Sequence, residues 1–298
     1  MDVTRLARRD PGYPQLLAQL HDPPVELFVR GRGDALVEPA VAVVGARSCS
    51  GYGAQVARTL GRELAAAGLV VVSGLARGID GEAHRGALEA GGTTVAVLGC
   101  GIDRDYPRLH AGLAARIRES GAVVSEYPAG TEPAPWRFPA RNRIIAGLTL
   151  ATVVVEARER SGALITSDFA LELGREVFAV PGEITAALSA GTNDLIRQGA
   201  TPLLSPRDVL GALGIEPPER PLPPVSGAAT SVLRLLEDSA RDFDAVVRLA
   251  GRSSAEVAAA LVELELAGVV DETEGIYRCR SVHEPFSPER FPELRRRG

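Results

Sequence analysis

The sequence predicts an α/β protein: a doubly wound parallel sheet, followed by a small winged-helix-like domain at its C-terminal end. Three observations carry this. Short apolar and β-branched runs recur at 41–44, 69–72, 94–98, 122–124, 152–155 and 177–180, the pattern of strands covered on both faces. Helix-like stretches separate them, and strand-then-helix alternation at this spacing builds parallel sheets. A proline-dense break after Gly214 then leads into three helical segments and a hairpin.

In chain order, residues 1–36 read as a lead-in with one helix turn after Tyr13 and one short strand from Leu27 to Gly31. Residues 37–214 carry the six strands, with helices expected at 53–67, 81–89, 109–119, 163–173 and 193–198. The strands run out into Gly45, Ser73-Gly74, Gly99, Ser125-Glu126, Glu156 and Pro181-Gly182. Ligands of open α/β sheets bind at the carboxyl ends of the strands, and small residues there admit a ligand to the backbone. A crevice is therefore expected along that edge.

Residues 215–225 are rich in proline, have no apolar face, and read as a semi-rigid linker. Residues 226–281 follow as a compact module. Asp242 can cap a short helix ending at Gly251, Ser253 and Glu256 have capping-box spacing, and Val257, Leu261 and Leu264 share one helix face. Val269-Val270 and Ile276-Tyr277 around Glu274-Gly275 make the hairpin of a winged helix. Its third helix carries Glu256, Glu263 and Glu265, and the module holds ten acidic residues against six arginines. Phosphates repel such a helix, so the module is expected to contact protein rather than read DNA. Residues 282–298 read as a disordered tail.

Net charge is −5, so any nucleic-acid site must be local. All 33 basic residues are arginine. Each is a planar fork suited to phosphate, and without lysine there is no P-loop. Cys49, Cys100 and Cys279 are widely spaced and odd in number, as in a reducing cytoplasm, with neither a disulfide frame nor a zinc site. No run approaches a membrane span and no signal peptide is evident, so a cytoplasmic protein without cofactor or metal is expected.

The charge pattern singles out one segment. Between Glu132 and Glu156 there is no acidic residue, while Arg137, Arg141 and Arg143 fall close together. Trp136 and Phe138 flank Arg137, and rings interleaved with cations are how single strands of nucleic acid are held. Phe138 can equally be core, whereas Trp136 follows two prolines and is expected to be exposed. The stretch from Gly45 through Arg47, Ser48 and Ser50 to Gly53 is a strand end, a small-residue loop and a helix start, which reads as a phosphate cradle. It is not G-x-G-x-x-G, and the second strand ends in Ser73-Gly74 rather than an acid, which argues against a dinucleotide. Asp80 and His84 share a helix face but have no nucleophile or metal partner, so Asp80 is read as a helix cap. Glu126 and Glu156 could act as paired carboxylates in hydrolysis of a nucleotide, or could each hold an arginine; the second is preferred.

Together the motifs Val-Gly-Ala-Arg-Ser-Cys-Ser-Gly-Tyr-Gly (44–53), Ser-Gly-Leu-Ala-Arg-Gly-Ile-Asp (73–80), Phe-Pro-Ala-Arg-Asn-Arg-Ile-Ile-Ala-Gly (138–147), Ser-Gly-Ala-Leu-Ile-Thr (161–166) and Phe-Ala-Val-Pro-Gly (178–182) resemble the DNA-processing protein A (DprA/Smf) family, in order, over roughly residues 11–281. The resemblance implies an extended Rossmann-like domain that binds single-stranded DNA without cleaving it. It also implies a homodimer, loading of the RecA recombinase, and a role in natural transformation. Carried over, its DNA pocket falls on Gly45, Arg47, Ser48, Ser50, Arg141, Asn142, Arg143, Ser161 and Gly162, with Arg108 where relatives can show lysine. Gly53, Gly74, Arg77, Arg137 and Phe138 complete the candidate contacts. Many members carry an N-terminal helical domain, for which this sequence leaves hardly any room before Tyr13. The alternative is a nucleotide hydrolase of the lysine-decarboxylase-like Rossmann group, with Glu126 or Glu156 catalytic. That group shows a Pro-Gly-Gly-x-Gly-Thr loop, and Pro181-Gly182-Glu183 does not continue as one.

Overall fold

A computed structural model describes residues 3–216, 225–273 and 275–279. The tail expected at 282–298 and all but the ends of the linker expected at 215–225 lie outside them. The chain divides into two compact units, up to and beyond residue 218.

The first unit runs β1 (Thr4–Ala7), α1 (Gln15–Ala18), β2 (Glu26–Gly31), β3 (Ala40–Val44), α2 (Gly51–Ala66), β4 (Val70–Ser73), α3 (Ile79–Glu89), β5 (Thr94–Leu98), α4 (Ala111–Ser120), β6 (Ala122–Ser125), α5 (Arg137–Leu148), β7 (Ala151–Val154), α6 (Gly162–Glu172), β8 (Glu176–Ala179), α7 (Ala190–Arg197), β9 (Thr201–Pro202) and α8 (Pro206–Ala212). The nine strands form one sheet in the order β1-β2-β6-β5-β4-β3-β7-β8-β9. From β3 the chain first winds outward through β4, β5 and β6, then returns to the other side of β3 for β7, β8 and β9. The topological switch point lies between β3 and β7.

The apolar runs are buried on both faces. Along β3, Ala42 and Val44 join one core with Val72, Val97, Ile144 and Leu148, while Val41 and Val43 join the other with Leu60, Leu64, Val71 and Ile79. That is why those strands carry no alternation. The parallel expectation needs one amendment: β2 pairs antiparallel with both β1 and β6, with Phe28 opposite Ser125. The polar residues of Thr4–Ala7 hide β1 in the sequence, and both β1 and β2 belong to the sheet.

Helix α5 was not anticipated as a helix. It buries Arg141, Asn142, Ile144, Ile145, Ala146, Gly147 and Leu148, so it shows no polar face for periodicity to detect. Pro139 lies in its first turn, where a missing N–H costs nothing.

Helices α2 and α3 cross at reciprocal glycines. A Cβ on Gly61 would collide with the Ala83 carbonyl, and one on Gly86 with the Arg58 carbonyl. Gly61→Ala gains about 1 kcal/mol of helix propensity but forces the helices apart at about 3 kcal/mol. Net destabilisation of about 2 kcal/mol is expected in urea unfolding; a variant as stable as the parent would refute the tight crossing.

The second unit comprises α9 (Gly227–Asp238), β10 (Arg241–Asp242), α10 (Phe243–Ala250), α11 (Ser254–Leu266), β11 (Val270–Thr273) and β12 (Ile276–Cys279), with strand order β10-β12-β11. Asp242 accepts from the Ala245 N–H, Gly251 ends α10 at φ 60°, and Ser253 with Glu256 closes a capping box on α11. Val232, Leu236, Val246, Val257, Leu261 and Leu264 form its core. Among the described residues no helix is long and apolar enough to cross a membrane.

Candidate functional site

A crevice of about 210 Å³ opens at the switch point, lined by Gly45, Arg47, Asp80, Phe138, Arg141 and Ser161 among others. It is smaller than the roughly 300–1,000 Å³ of sites that enclose a whole small molecule. Three strand-end loops are bound into one floor. The Ala46 N–H donates to the Glu156 carbonyl (2.8 Å), and the Ile79 N–H donates to the Ala46 carbonyl (3.2 Å). Gly45 is glycine because Ile79 and the Glu156 backbone lie against it, and Gly78, at φ 72°, because the Ala46 and Arg47 backbone does.

The phosphate cradle read from residues 45–53 is partly filled by the protein itself. Ser50 caps α2, accepting from the Gly53 N–H at 3.0 Å. Its own N–H and hydroxyl both donate to the Glu156 carboxylate, and that carboxylate lies where a Gly53 side chain would be. Ser50 and Gly53 therefore hold an internal anion at the helix N-terminus. Glu156 was expected to hold an arginine and instead holds Ser50. Arg47 and Ser48 of the same loop are exposed.

Arg141 is the buried centre. Its Nη1 donates to the carbonyls of Gly74 (2.7 Å) and Val97, and its Nε donates to Asn142 Oδ1 (3.2 Å). Asn142 Nδ2 in turn donates to the Gly162 carbonyl at 2.9 Å. One side-chain chain thus ties the ends of β4 and β5 to the start of α6, and Gly74 is glycine because the guanidinium occupies its side-chain space. Burial pushes the Arg141 pKa down to about 10, against the favourable charge of Asp80, so the group stays cationic at neutral pH.

Asp80 neither caps its own helix nor works with His84. Its carboxylate accepts from the N–H groups of Gly74 (3.1 Å) and Ala76 (3.3 Å), on either side of Leu75, which sits at φ 59° and is fully buried. The Leu75 carbonyl bonds His110 Nδ1 at 2.9 Å. Burial raises the Asp80 pKa, opposed by Arg141. This loop presents Arg77 to solvent, one residue before Gly78, which lies against the Arg47 backbone.

His84 faces the sheet. The Thr94 hydroxyl donates to the Val71 carbonyl at 2.6 Å and so accepts from His84 Nδ1 at 2.7 Å. Nε2 is buried with no partner among the described residues. Burial first, then the nearby charges of His110 and Arg141, pushes its pKa from 6.5 down to about 3. A folded pKa below the unfolded one gives stability that is complete above about 6.5 and lost, at about 1.4 kcal/mol per pH unit, as pH falls towards 3. Urea midpoints at pH 7, 6 and 5 should decline accordingly, and His84→Gln should flatten that decline.

The rim alternates cations with rings. Arg47 lies over Phe138 at 5.2 Å, and Tyr106 stacks on the same ring at 5.5 Å. Arg137 lies between Trp136 (4.8 Å) and Tyr127 (5.0 Å), and Trp136 is exposed as expected. Arg108, two residues beyond Tyr106, is exposed as well. Ser161 caps α6 by accepting from the Ala163 N–H, which sets that helix start and Gly162 on the crevice wall. Arg143 is not brought in. Two residues on from Arg141 it falls on another face of α5, where it forms a two-point pair with Glu126 (2.7 and 3.2 Å). Among the described residues no group of three His, Cys, Asp or Glu could hold a metal ion.

A sequence model of the DNA recombination-mediator protein A family matches residues 4–214 of this chain. The chain belongs to that family. A model of the DprA winged helix domain matches residues 216–275. The chain is 44% identical over 277 residues to protein Smf of Escherichia coli, covering 89% of this chain and 74% of that protein. It is 48% identical over 205 residues to the DNA processing protein DprA of Streptococcus pneumoniae, 67% and 71% of the two chains. Among solved structures, DNA processing protein A of S. pneumoniae superposes with a TM-score of 0.68 at 46% identity, over 71% of this chain and 74% of that one. Helicobacter pylori DNA processing protein A, described in a single-stranded DNA binding mode, superposes with a TM-score of 0.65 at 30% identity, over 72% and 96%. The family's recombination role is one of DNA processing, which the winged helix and the mostly parallel sheet accompany here. Sequence reasoning missed the parts played by Glu156, His110 and Tyr106, whose partners lie far along the chain, and those of Asp80 and Tyr127, whose partners lie within ten residues.

Proposed function

We propose that this protein binds single-stranded DNA without regard to sequence, acting in the cytoplasm as a homodimer that protects incoming DNA. It would then load a RecA-type recombinase during transformation and homologous recombination. The observation that carries the reading is the rim: two guanidinium–ring stacks, Arg47 on Phe138 and Arg137 between Trp136 and Tyr127, beside a small cationic crevice. Unpaired bases stack on such rings whatever their identity, while arginines follow the phosphates. Exposed Arg47, Arg77 and Arg108 with Ser48, and the α6 start at Ser161 and Gly162, supply the backbone contacts; Arg141 and Asn142 hold these pieces in register. The H. pylori relative's single-stranded DNA binding mode supports the same reading. A duplex hides its base faces and would gain only the phosphate contacts.

Binding without cleavage is the accompanying proposal. Glu156 is engaged by Ser50 and Glu126 by Arg143, which supports a structural part for both carboxylates. Fluorescence anisotropy with labelled oligo-dT and a duplex of equal length, at two salt concentrations, tests the reading. The single strand should bind tighter, weaken with salt, and bind less well to Arg77→Ala, while Arg143→Ala stays near the parent. Equal binding of single strand and duplex would overturn it. Recombinase loading is checked by filament nucleation on the same oligonucleotide with and without the protein.

A further inference from the structure

Helix α11 occupies the position a DNA-reading helix takes in a winged helix, yet it carries no basic residue. Its outward face is apolar. Ala255, Ala258, Ala259, Val262 and Leu266 are all exposed, Leu266 by 85% and Val262 by 53%. Steps of three and four residues put all five on one stripe of the helix, opposite the buried Val257, Leu261 and Leu264. The stripe is graded, small at its N-terminal end and large at its C-terminal end. Charge is graded in the same direction. Exposed Arg248 and half-buried Arg252, the latter paired with Glu256 at 3.7 Å, lie just before the helix, and exposed Glu265 lies near its end. Glu256 and Glu263 are already engaged, one closing the capping box and the other accepting from the Ser226 N–H and hydroxyl.

We infer that this stripe packs against the same stripe of a second copy of the chain, with the two α11 helices antiparallel about a two-fold axis near Ala259 and Ala260. Only that orientation sets Leu266 of each copy over Ala255 of the other, and Val262 over Ala258, so that large side chains fall on small ones. It also brings the Glu265 end of one helix to the Arg252 end and helix N-terminus of the other, and opposes the two helix dipoles. A parallel pairing would set Leu266 against Leu266 and Glu265 against Glu265. The small residues allow the helix axes to approach to about 8 Å. The stripe spans about 17 Å of helix at 1.5 Å per residue, less than a stable interface of roughly 1,000 Å² requires. The contact is therefore weak between free chains and strong between chains already held close, through effective concentration. This goes beyond the homodimer proposed above, which commits to no face; the weak contact rests on α11, and its strengthening rests on that homodimer.

The test is disulfide cross-linking of the full-length chain. Ala259→Cys, beside the two-fold axis, should form a linked dimer whose yield rises with protein concentration. The unsubstituted chain gives the background of its three native cysteines, and Ser231→Cys, on the exposed side of α9, is the comparison. Adding Val262→Asp and Leu266→Asp should cut the Ala259→Cys yield by roughly tenfold or more. Both positions are exposed, so unchanged circular dichroism and melting would show that the fold persists. Equal yields from Ser231→Cys, or a yield the two aspartates leave unchanged, would overturn the pairing. So would an absence of linked dimer, the outcome if α11 docks on a different protein or elsewhere on its own chain. A dimer that sediments normally while carrying the two aspartates would place the homodimer on another face and leave that proposal standing.

Discussion

Arg141→Met is expected to lower stability by about 3 kcal/mol, the low end of the range for breaking a buried charge arrangement by removing one member. The carbonyls of Gly74 and Val97 lose their donor, Asn142 loses the neighbour that orients it, and Asp80 stays buried without the cation that opposes its desolvation. Asp80 keeps the N–H groups of Gly74 and Ala76, which is why the low end applies. The pH dependence has a definite sign. A carboxyl whose folded pKa is raised above its unfolded value binds its proton more readily when folded, so its burden is felt above the folded pKa and relieved as pH falls. Loss of Arg141 raises that pKa further, so the deficit of the variant relative to its parent should be smaller at pH 5 than at pH 8. Asp80→Asn in the Arg141→Met background should be much less harmful than the two single effects predict, with coupling of about 1–3 kcal/mol. Additivity within about 0.5 kcal/mol would mean that the two groups do not sense each other.

Arg47→Ala and Phe138→Ala should each weaken binding of single-stranded DNA by about 1–3 kcal/mol, for different reasons that salt separates. Arg47 contributes a charge, so its loss should reduce the slope of log affinity against log salt by about one. Phe138 contributes a ring face, so its loss should leave that slope unchanged. Because the guanidinium lies over the ring at 5.2 Å, the double variant should lose less than the sum of the two. Anisotropy titrations across a salt series read all three quantities. If Phe138→Ala shifts the slope as Arg47→Ala does, the ring acts only by placing the arginine. If neither variant weakens binding, the rim is not where DNA lies.

What could be read from the sequence follows the range of the interaction concerned. The strands, the crevice at their ends and the capping box of the C-terminal module depend on residues close in the chain, and spacing reveals them. The arginine cluster at 137–143 was visible as composition, but its division was not. Arg141 turns inward, Arg143 turns to Glu126 and Arg137 lies between two rings, a sorting made by the 100° turn per residue of a helix whose apolar surround concealed it. The glycines at 45, 53 and 74 read as places for a ligand to approach. Each is also required by the protein's own atoms, from Ile79, Glu156 and Arg141 respectively, and no local pattern announces neighbours so far along the chain. Glu126 met the expectation of an arginine partner; Glu156 did not, because Ser50 reaches it first.

The place of β2 in the sheet bears on how the chain assembles over time. β2 is paired on one side with β1, which it follows closely, and on the other with β6, made roughly a hundred residues later; closing a loop of that length costs on the order of 4 kcal/mol in entropy. Two strands alone are marginal in water. The β1–β2 pair must therefore wait, unsupported, until Ser125 has been added and β6 has docked on β5. The same asymmetry works in reverse. The β1–β2 border should open before the centre of the sheet, its amides exchanging hydrogen well ahead of those in β3, β4 and β5. A border made early thus finds its partner late and gives it up first.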